Sequence, residues 1–520
     1  MTRSQPIFRR APRLAALAFG VALIGAIEMF CRVAGVGDYR DRPDPFASLT
    51  GLQPLFHEVV GADGARMMRA GEGAAERRFL AVKPANGFRV FVFGGSSEVG
   101  TPYGYEYSFA AFLQSLLAAA LPTRTVEVVN CAVPGFASRR LLYAAREVSA
   151  YEPDLYIVST GHNELVEQRL YSHLVGASPA VFEVQQRVRR LRTYVLFEDA
   201  IRWAVKPMRP EIEGEKIYVP MFGPMASKFW QDEPRDAARQ RYYALAMFRT
   251  NVDAIIRVAQ RAGADVLLLS QPKNYADWPV IGGAHAEGLS AEQLGRWQEE
   301  MRRGAERVGT GDLEQAAAAY EAALAADPGY AETSWRLAGV RRAQGRLDDA
   351  ARLYRQARET GPANFGTTAE RNAALQELAR GRGTRWIDMA RVFEDASPSG
   401  LVGYNLFVDF LHPNLAGHEL MARTVAEALR DLGVPLPARE WRPWPDLPAP
   451  AELYARTPGL RVLELKAQIL AAIESERPAE ATRLVEELRV VAPGDPQLGQ
   501  LEQWVAGNLP FKLGAAAGAN

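Results

Sequence analysis

Cysteine is nearly absent. The 520-residue chain has two, Cys31 and Cys131, and neither lies in a CxxC pair. That excludes a disulfide framework and a cysteine-rich zinc or iron–sulfur site. Histidine is also scarce, so imidazole chemistry must draw on six residues: His57, His162, His173, His285, His412 and His418. Net charge is missing: Lys+Arg 61 and Asp+Glu 61 cancel. No whole-molecule field therefore points to nucleic acid as a partner. The sequence has no G-x-S-x-G elbow, P-loop, G-x-G-x-x-G or H-E-x-x-H motif, which argues against the α/β-hydrolase fold and the usual nucleotide and zinc signatures. His162 and Glu164 have no third ligand in sight, so no metal and no cofactor is implied. The remaining composition, 48% hydrophobic and 23% charged, is that of a globular protein. At roughly 150 residues per domain, the length suggests about three or four folded units.

The N-terminus carries Arg3, Arg9, Arg10 and Arg13 ahead of the apolar run Leu14–Cys31. A helix of that length is about 27 Å long, close to the thickness of a bilayer core. Arginines on the leading side predict that this end stays cytoplasmic and the rest lies outside the inner membrane. Residues 1–36 are therefore read as a membrane anchor. A cleaved signal and a buried helix interrupted by Glu28 are the alternatives.

Residues 37–86 read as an irregular lead-in. Beyond them, apolar β-rich runs alternate with helical patterns. Strands are predicted at Phe88–Phe93, Thr125–Asn130, Asp154–Thr160, Asp265–Ser270 and Thr384–Met389. Helices fall at about 106–120, 137–150, 239–261 and 368–381, as the apolar spacing indicates. Such alternation predicts a doubly wound α/β fold with a parallel sheet, and a ligand crevice at the carboxyl ends of its strands.

Two insertions break the pattern. Residues 165–238 are read as a cap beside the cleft, with Arg187, Arg189, Arg190 and Arg192 on a solvated face. The second insertion is a repeat. Gly311, Leu313, Ala316, Tyr320, Ala323 and Pro328 recur 34 residues later as Gly345, Leu347, Ala350, Tyr354, Ala357 and Pro362. That period marks tetratricopeptide helix pairs over 296–362, with the tyrosines expected to fill gaps between neighbouring pairs. The two parts of the α/β domain are thus 87–295 and 363–434. A proline-rich linker over 435–458 is expected to be extended. A helical pair over 459–505 and a disordered GAAAGAN tail end the chain.

Ser96 follows the first strand in VFGGSSEVG, where glycines permit a sharp turn and close substrate approach. It is a candidate nucleophile that needs a base; a plain turn with Ser96 or Ser97 as helix cap is the alternative. His412, in FVDFLHPNLAGHEL, is the candidate base. Asp409, three residues earlier, can hold its Nδ1–H and stabilise the imidazolium. His418 is read as a helix-surface residue. Gly135 after the second strand and Asn163 after the third can donate to a developing oxyanion together with the Ser96 N–H.

The ordered set Ser96, Gly135, Asn163 and His412, with Asp409 in D-x-x-H, resembles the SGNH (GDSL-type) hydrolases, over about 88–295 and 369–432. The match to the subgroup with a membrane anchor, an FGGSS block and helical repeats is close. The resemblance implies a flavodoxin-like three-layer α/β sandwich and a Ser96–His412–Asp409 triad. It also implies oxyanion donors at Ser96, Gly135 and Asn163. The implied activity is a serine esterase outside the cytoplasm, acting on a lipid ester or an acetylated glycan. Acyl transfer to a polysaccharide, or a scaffold whose repeats bind a protein partner, are the alternatives. The GDS block departs from the family pattern, reading Gly94-Gly95-Ser96, and GxND reads Gly161-His162-Asn163-Glu164.

Overall fold

The computed structural model describes residues 11–37, 54–61, 64–71, 76–170, 188, 191–205, 237–280, 282–361, 366–474 and 477–507. The chain divides into two compact units: Met1–Pro54 with Tyr171–Tyr218, and Leu55–Leu170 with Val219–Asn520.

The larger unit opens with β1 (His57–Val60), β2 (Arg66–Ala70) and β3 (Arg77–Leu80), an antiparallel sheet. This corrects the irregular reading of 37–86. In β2, Met68 and Ala70 turn inward while Arg66 stays exposed. Such a short, arginine-bearing strand presents no apolar run for a sequence pattern to catch.

The main sheet is parallel throughout and holds β4 (Gly87–Phe93), β5 (Thr125–Asn130), β6 (Leu155–Ser159), β7 (Asp265–Leu269) and β8 (Arg385–Ile387). Its order is β5-β4-β6-β7-β8, the doubly wound flavodoxin-like arrangement. Successive side chains point to opposite faces. Val90, Val92, Ile157 and Leu267 pack on one side with α2 (Phe109–Ala120) and α12 (Leu415–Asp431). Phe91, Phe93, Tyr156 and Val266 pack on the other with α3 (Ser138–Val148), α5 (Ala237–Arg261) and α10 (Ala369–Arg382). The result is the flavodoxin-like three-layer α/β sandwich that the resemblance implied. Its strand order reverses between β4 and β6, the position outside the carboxyl ends where folds of this kind bind ligands.

Four helices enter between β7 and β8: α6 (Ala291–Gly309), α7 (Leu313–Ala326), α8 (Ala331–Ala343) and α9 (Leu347–Thr360). The recurring glycines make the turns inside each pair, with φ +77° at Gly311 and +74° at Gly345, a region where a side chain is strained. Ala316 and Ala350 are fully buried, as close helix approach requires. Each tyrosine packs against the first helix of its own pair, and Tyr320 also reaches Arg336 of the next pair. A Cβ on Gly304 of α6 would lie 2.5 Å from the Tyr320 ring of α7. Tyr354 of α9 meets Trp335 of α8 at 5.9 Å.

The proline-rich stretch 435–458 is a strap on the α/β domain rather than a linker. Trp441 is buried, and Trp444 and Leu447 join the same core. The Arg442 N–H donates to the Ala120 carbonyl at 2.9 Å, and α13 (Pro450–Arg456) closes the strap. The prolines announced extension; the tryptophans decided where the chain lies. Then come α14 (Gly459–Glu474), α15 (Pro478–Val491) and α16 (Leu498–Val505), around Leu465, Ile469, Leu488 and Trp504. The tail expected to be disordered lies outside the described residues.

In the smaller unit, the helix Ala11–Val33 meets the helix Arg192–Val205. Glu28 accepts hydrogen bonds from the Thr193 N–H and hydroxyl at 3.0 and 3.2 Å. Among the described residues, no helix is long and apolar enough to cross a membrane. Most of the cap expected over 165–238, including Arg187, Arg189 and Arg190, lies outside the described residues.

Filling the contact between Gly304 and Tyr320 tests the packing of the repeat. Gly304→Val is expected to destabilise the protein by about 1–3 kcal/mol, more than the few tenths that helix propensity returns. Denaturant unfolding measures this, and a variant as stable as wild type would contradict the packing.

Candidate active site

Ser96 is the first residue of α1 (Ser96–Val99), directly after β4 and its two glycines. Its Oγ lies 2.8 Å from His412 Nε2. His412 Nδ1 lies 2.6 Å from Asp409 Oδ2. The other Asp409 oxygen accepts the Leu411 and His412 N–H groups at 2.9 and 2.8 Å, and Val408 N–H donates to the His412 carbonyl at 2.9 Å. Aspartate and histidine thus share one side of a tight turn, not of a helix. Burial raises the Asp409 pKa, but the adjacent His412 and the two backbone bonds outweigh it and hold the carboxyl below its ordinary value. Ser97 points elsewhere, donating to the Leu411 carbonyl at 3.0 Å. The choice between the two serines falls on Ser96.

Gly135 and Asn163 come together beside this chain of contacts. Asn163 Nδ2 donates to the Phe136 carbonyl at 2.9 Å, and a Cβ on Gly95 would lie 2.5 Å from that same Nδ2. Gly135 adopts φ +75°, and its carbonyl accepts from Arg140. Two carboxylates hold the loop. Glu164 takes the Ser138 N–H and hydroxyl, both at 2.8 Å. Glu167 takes the Ala137 N–H at 3.0 Å and Arg140 Nε at 2.7 Å. Burial first, and Glu167 next, push Glu164 up to about 7.

Sequence reasoning missed Glu98. Gly95 stands where the resemblance implied an acid, and it can carry no side chain without displacing Asn163. A carboxyl reaches the loop from α1 instead. Glu98 Oε2 accepts the Gly95 N–H at 2.8 Å, and Oε1 accepts the Ser159 hydroxyl at 2.8 Å and Gln271 Nε2 at 3.1 Å. It folds so closely over Gly94 that a Cβ there would lie 2.3 Å from it. The signal was present as Glu three residues after a helix cap, but a glycine cap conceals it.

His162 is buried, and its Nδ1 accepts the Thr367 N–H at 3.0 Å. Burial, helped by Lys273 and His412, holds it well below the ordinary imidazole range. His418 is not on the surface, contrary to expectation. It is fully buried, accepts the Phe109 N–H at 3.3 Å, and is pushed down to about 3 by burial. The reason is that α12 turns this face toward α2. Among the described residues, no group of three or more His, Cys, Asp or Glu side chains could hold a metal ion.

The tetratricopeptide repeat family matches residues 308–365. No curated protein matches the sequence. Among solved structures, an acetylxylan esterase from Geobacillus stearothermophilus is 12% identical; the alignment covers 68% of this chain and 97% of that one, with a TM-score of 0.29. A G-D-S-L family protein from Desulfitobacterium hafniense DCB-2 is 11% identical, covering 66% and 99%, with a TM-score of 0.29. An alpha/beta hydrolase enzyme from the metagenome of Lake Arreo, Spain, is 12% identical, covering 66% and 95%, with a TM-score of 0.29.

Burial pushes the Glu98 carboxyl from 4.5 up to about 7. Between those values the folded state holds a proton that the unfolded state has released, so this group's contribution to stability falls as pH rises. Glu98→Gln removes the titration. Wild-type stability relative to the variant is expected to fall by up to about 1.4 kcal/mol per pH unit through that window. Melting curves at several pH values check this; a constant difference would contradict it.

Proposed function

We propose that the chain is an SGNH (GDSL-type) serine esterase that hydrolyses carboxylic esters, acyl or acetyl, through an acyl-enzyme. One observation carries the reading. Ser96, His412 and Asp409, spread over more than 300 residues of sequence, form a hydrogen-bonded series with contacts of 2.8 and 2.6 Å. His412 Nε2 takes the proton as the Ser96 Oγ attacks the ester carbonyl, and returns it to the leaving alcohol. Asp409 fixes the tautomer and stabilises the imidazolium. The Ser96 N–H, Gly135 N–H and Asn163 Nδ2 donate to the tetrahedral oxyanion. Water, deprotonated by His412, then releases the acid. A fully connected triad counts against a decayed site on a pure scaffold. The inserted pairs remain a proposed surface for a protein partner.

Ser96→Ala is expected to lower turnover of p-nitrophenyl acetate at least about a thousandfold, and Asn163→Ala about a hundredfold. Wild type should also react with a serine-directed fluorophosphonate. A Ser96→Ala variant that hydrolyses as fast as wild type would sink the assignment.

The proposal includes an anchor: residues 1–36 hold the chain at the inner membrane, with the esterase outside the cytoplasm. The apolar run Leu14–Cys31 behind four arginines supports it, as do the exposed Phe19, Leu23, Ile24, Ile27 and Phe30. The full chain is expected in the membrane pellet after a carbonate wash; recovery in the supernatant would refute the anchor.

A further inference from the structure

The last turn of the repeat insertion reaches into the α/β domain. Arg358, on α9, is half-buried with its Nε shielded from solvent, and its guanidinium donates to two carbonyls of one loop, Asn274 at 3.3 Å and Trp278. The next residue, Glu359, accepts the Ala369 N–H at 3.1 Å and faces Lys273 Nζ at 3.6 Å. From α8, Arg342 donates to Asp277 at 2.6 Å. All but the Ala369 contact converge on residues 273–278, which follow β7.

That loop in turn holds the turn bearing Asp409 and His412. The Asn274 N–H donates to the Phe410 carbonyl, and Asn274 Nδ2 to the Asp409 carbonyl, both at 3.0 Å. Asn274 Oδ1 accepts the Asp277 and Trp278 N–H groups at 2.9 and 3.2 Å. Asp277 accepts the Tyr404 N–H at 2.9 Å. The Trp278 ring packs against Phe410 at 5.4 Å. A path of hydrogen bonds therefore runs from Arg358 through Asn274 to the backbone of Asp409. Burying a guanidinium is expensive, and an apolar side chain would pack two helical layers more cheaply. The buried Arg358 Nε has no hydrogen-bond partner, so the charge is not fully compensated. What the guanidinium supplies and an apolar group cannot is a directed hold on two carbonyls.

We propose that Arg358 and Asn274 are positioning residues for the Asp409–His412 dyad, so that the tetratricopeptide insertion braces the catalytic base. The proposal rests on the esterase reading. Neither residue touches Ser96 or a reacting atom; both act through the backbone that aims Asp409.

The test uses the purified full chain and the variants Arg358→Ala, Arg358→Lys, Asn274→Ala and, as control, Arg352→Ala. Arg352 lies on the same helix and is exposed, pairing with Asp349 at 3.4 Å. Arg358→Ala and Asn274→Ala are expected to lower kcat on p-nitrophenyl acetate about ten- to a hundredfold, as small misplacements of a base do, with KM little changed. The acidic limb of the kcat–pH profile should move in both. Arg358→Lys, which keeps a cationic donor, should recover part of the loss, and Arg352→Ala should match wild type. The low-field proton resonance of the His412 Nδ1–H, read without turnover, should shift in Arg358→Lys and Asn274→Ala. Folded variants with wild-type kcat, pH profile and resonance would overturn the brace and leave the esterase reading intact. A loss explained wholly by the folded fraction, with pH profile and resonance unmoved, would overturn it too. A wild type that neither hydrolyses esters nor labels at Ser96 would instead sink the esterase reading, and the resonance alone then decides whether the brace exists.

Discussion

Four strand ends meet at one buried glutamate. Glu98 accepts the Gly95 N–H beyond β4, the Ser159 hydroxyl at the end of β6 and the Gln271 amide beyond β7. Its own carbonyl takes Asn130 Nδ2 at the end of β5. A carboxyl in an apolar interior is costly unless its oxygens are occupied, and here neighbouring strands occupy them. The arrangement fixes where β4 stops and α1 begins, and so where Ser96 projects. The ligand position at the strand reversal is a general property of the fold; in this chain Glu98 ties together the loops that leave those strand ends.

The same economy explains the missing acid in the GDS block. Asn163 Nδ2 stands so close to Gly95 that a side chain at position 95 would have to displace it. The carboxyl arrives from the next turn and caps the same N–H from the other side. Glu164, where the GxND pattern has an aspartate, performs a parallel task at the start of α3, holding the Ser138 N–H. In both places a carboxyl sits at a backbone donor, Glu98 at Gly95 and Glu164 at Ser138.

The five-strand sheet was legible because β4, β6 and β7 are largely apolar runs and the strands alternate with helical spacing. The repeats were legible because their glycines, alanines and tyrosines recur at a fixed period. Ser96, His412 and Asp409 were legible because few histidines compete and only one follows an aspartate at the right distance. What stayed hidden is equally physical. The β1–β3 sheet is short, and Arg66, Arg69, Arg77 and Arg78 leave it no apolar run. The strap around Trp441 looks like a linker because prolines dominate its composition, whereas its tryptophans determine its packing. His418 was misread because a single histidine among polar and apolar neighbours does not say which way its helix faces. Asn274 and Arg358 carry no pattern at all, since their meaning depends on carbonyls contributed by other segments.

Both all-α modules lean on the segment that carries the base. Arg358 and Arg342 reach it from the inserted pairs through residues 274–278. Arg477, at the start of α15, reaches it from the C-terminal helices by donating to the Tyr404 hydroxyl at 2.6 Å. The segment between Val402 and His412 has no regular strand or long helix of its own among the described residues, only an isolated bridge between Phe407 and Pro413. A turn of this kind is free to fluctuate unless other elements fix its carbonyls and N–H groups. A histidine that must meet a serine from the opposite end of the domain needs that fixing more than the serine does, because the serine rides on the end of a central strand. Placing the repeat pairs between β7 and β8, and a second helical module after the strap, brings rigid helices to a part of the site that the sheet does not hold.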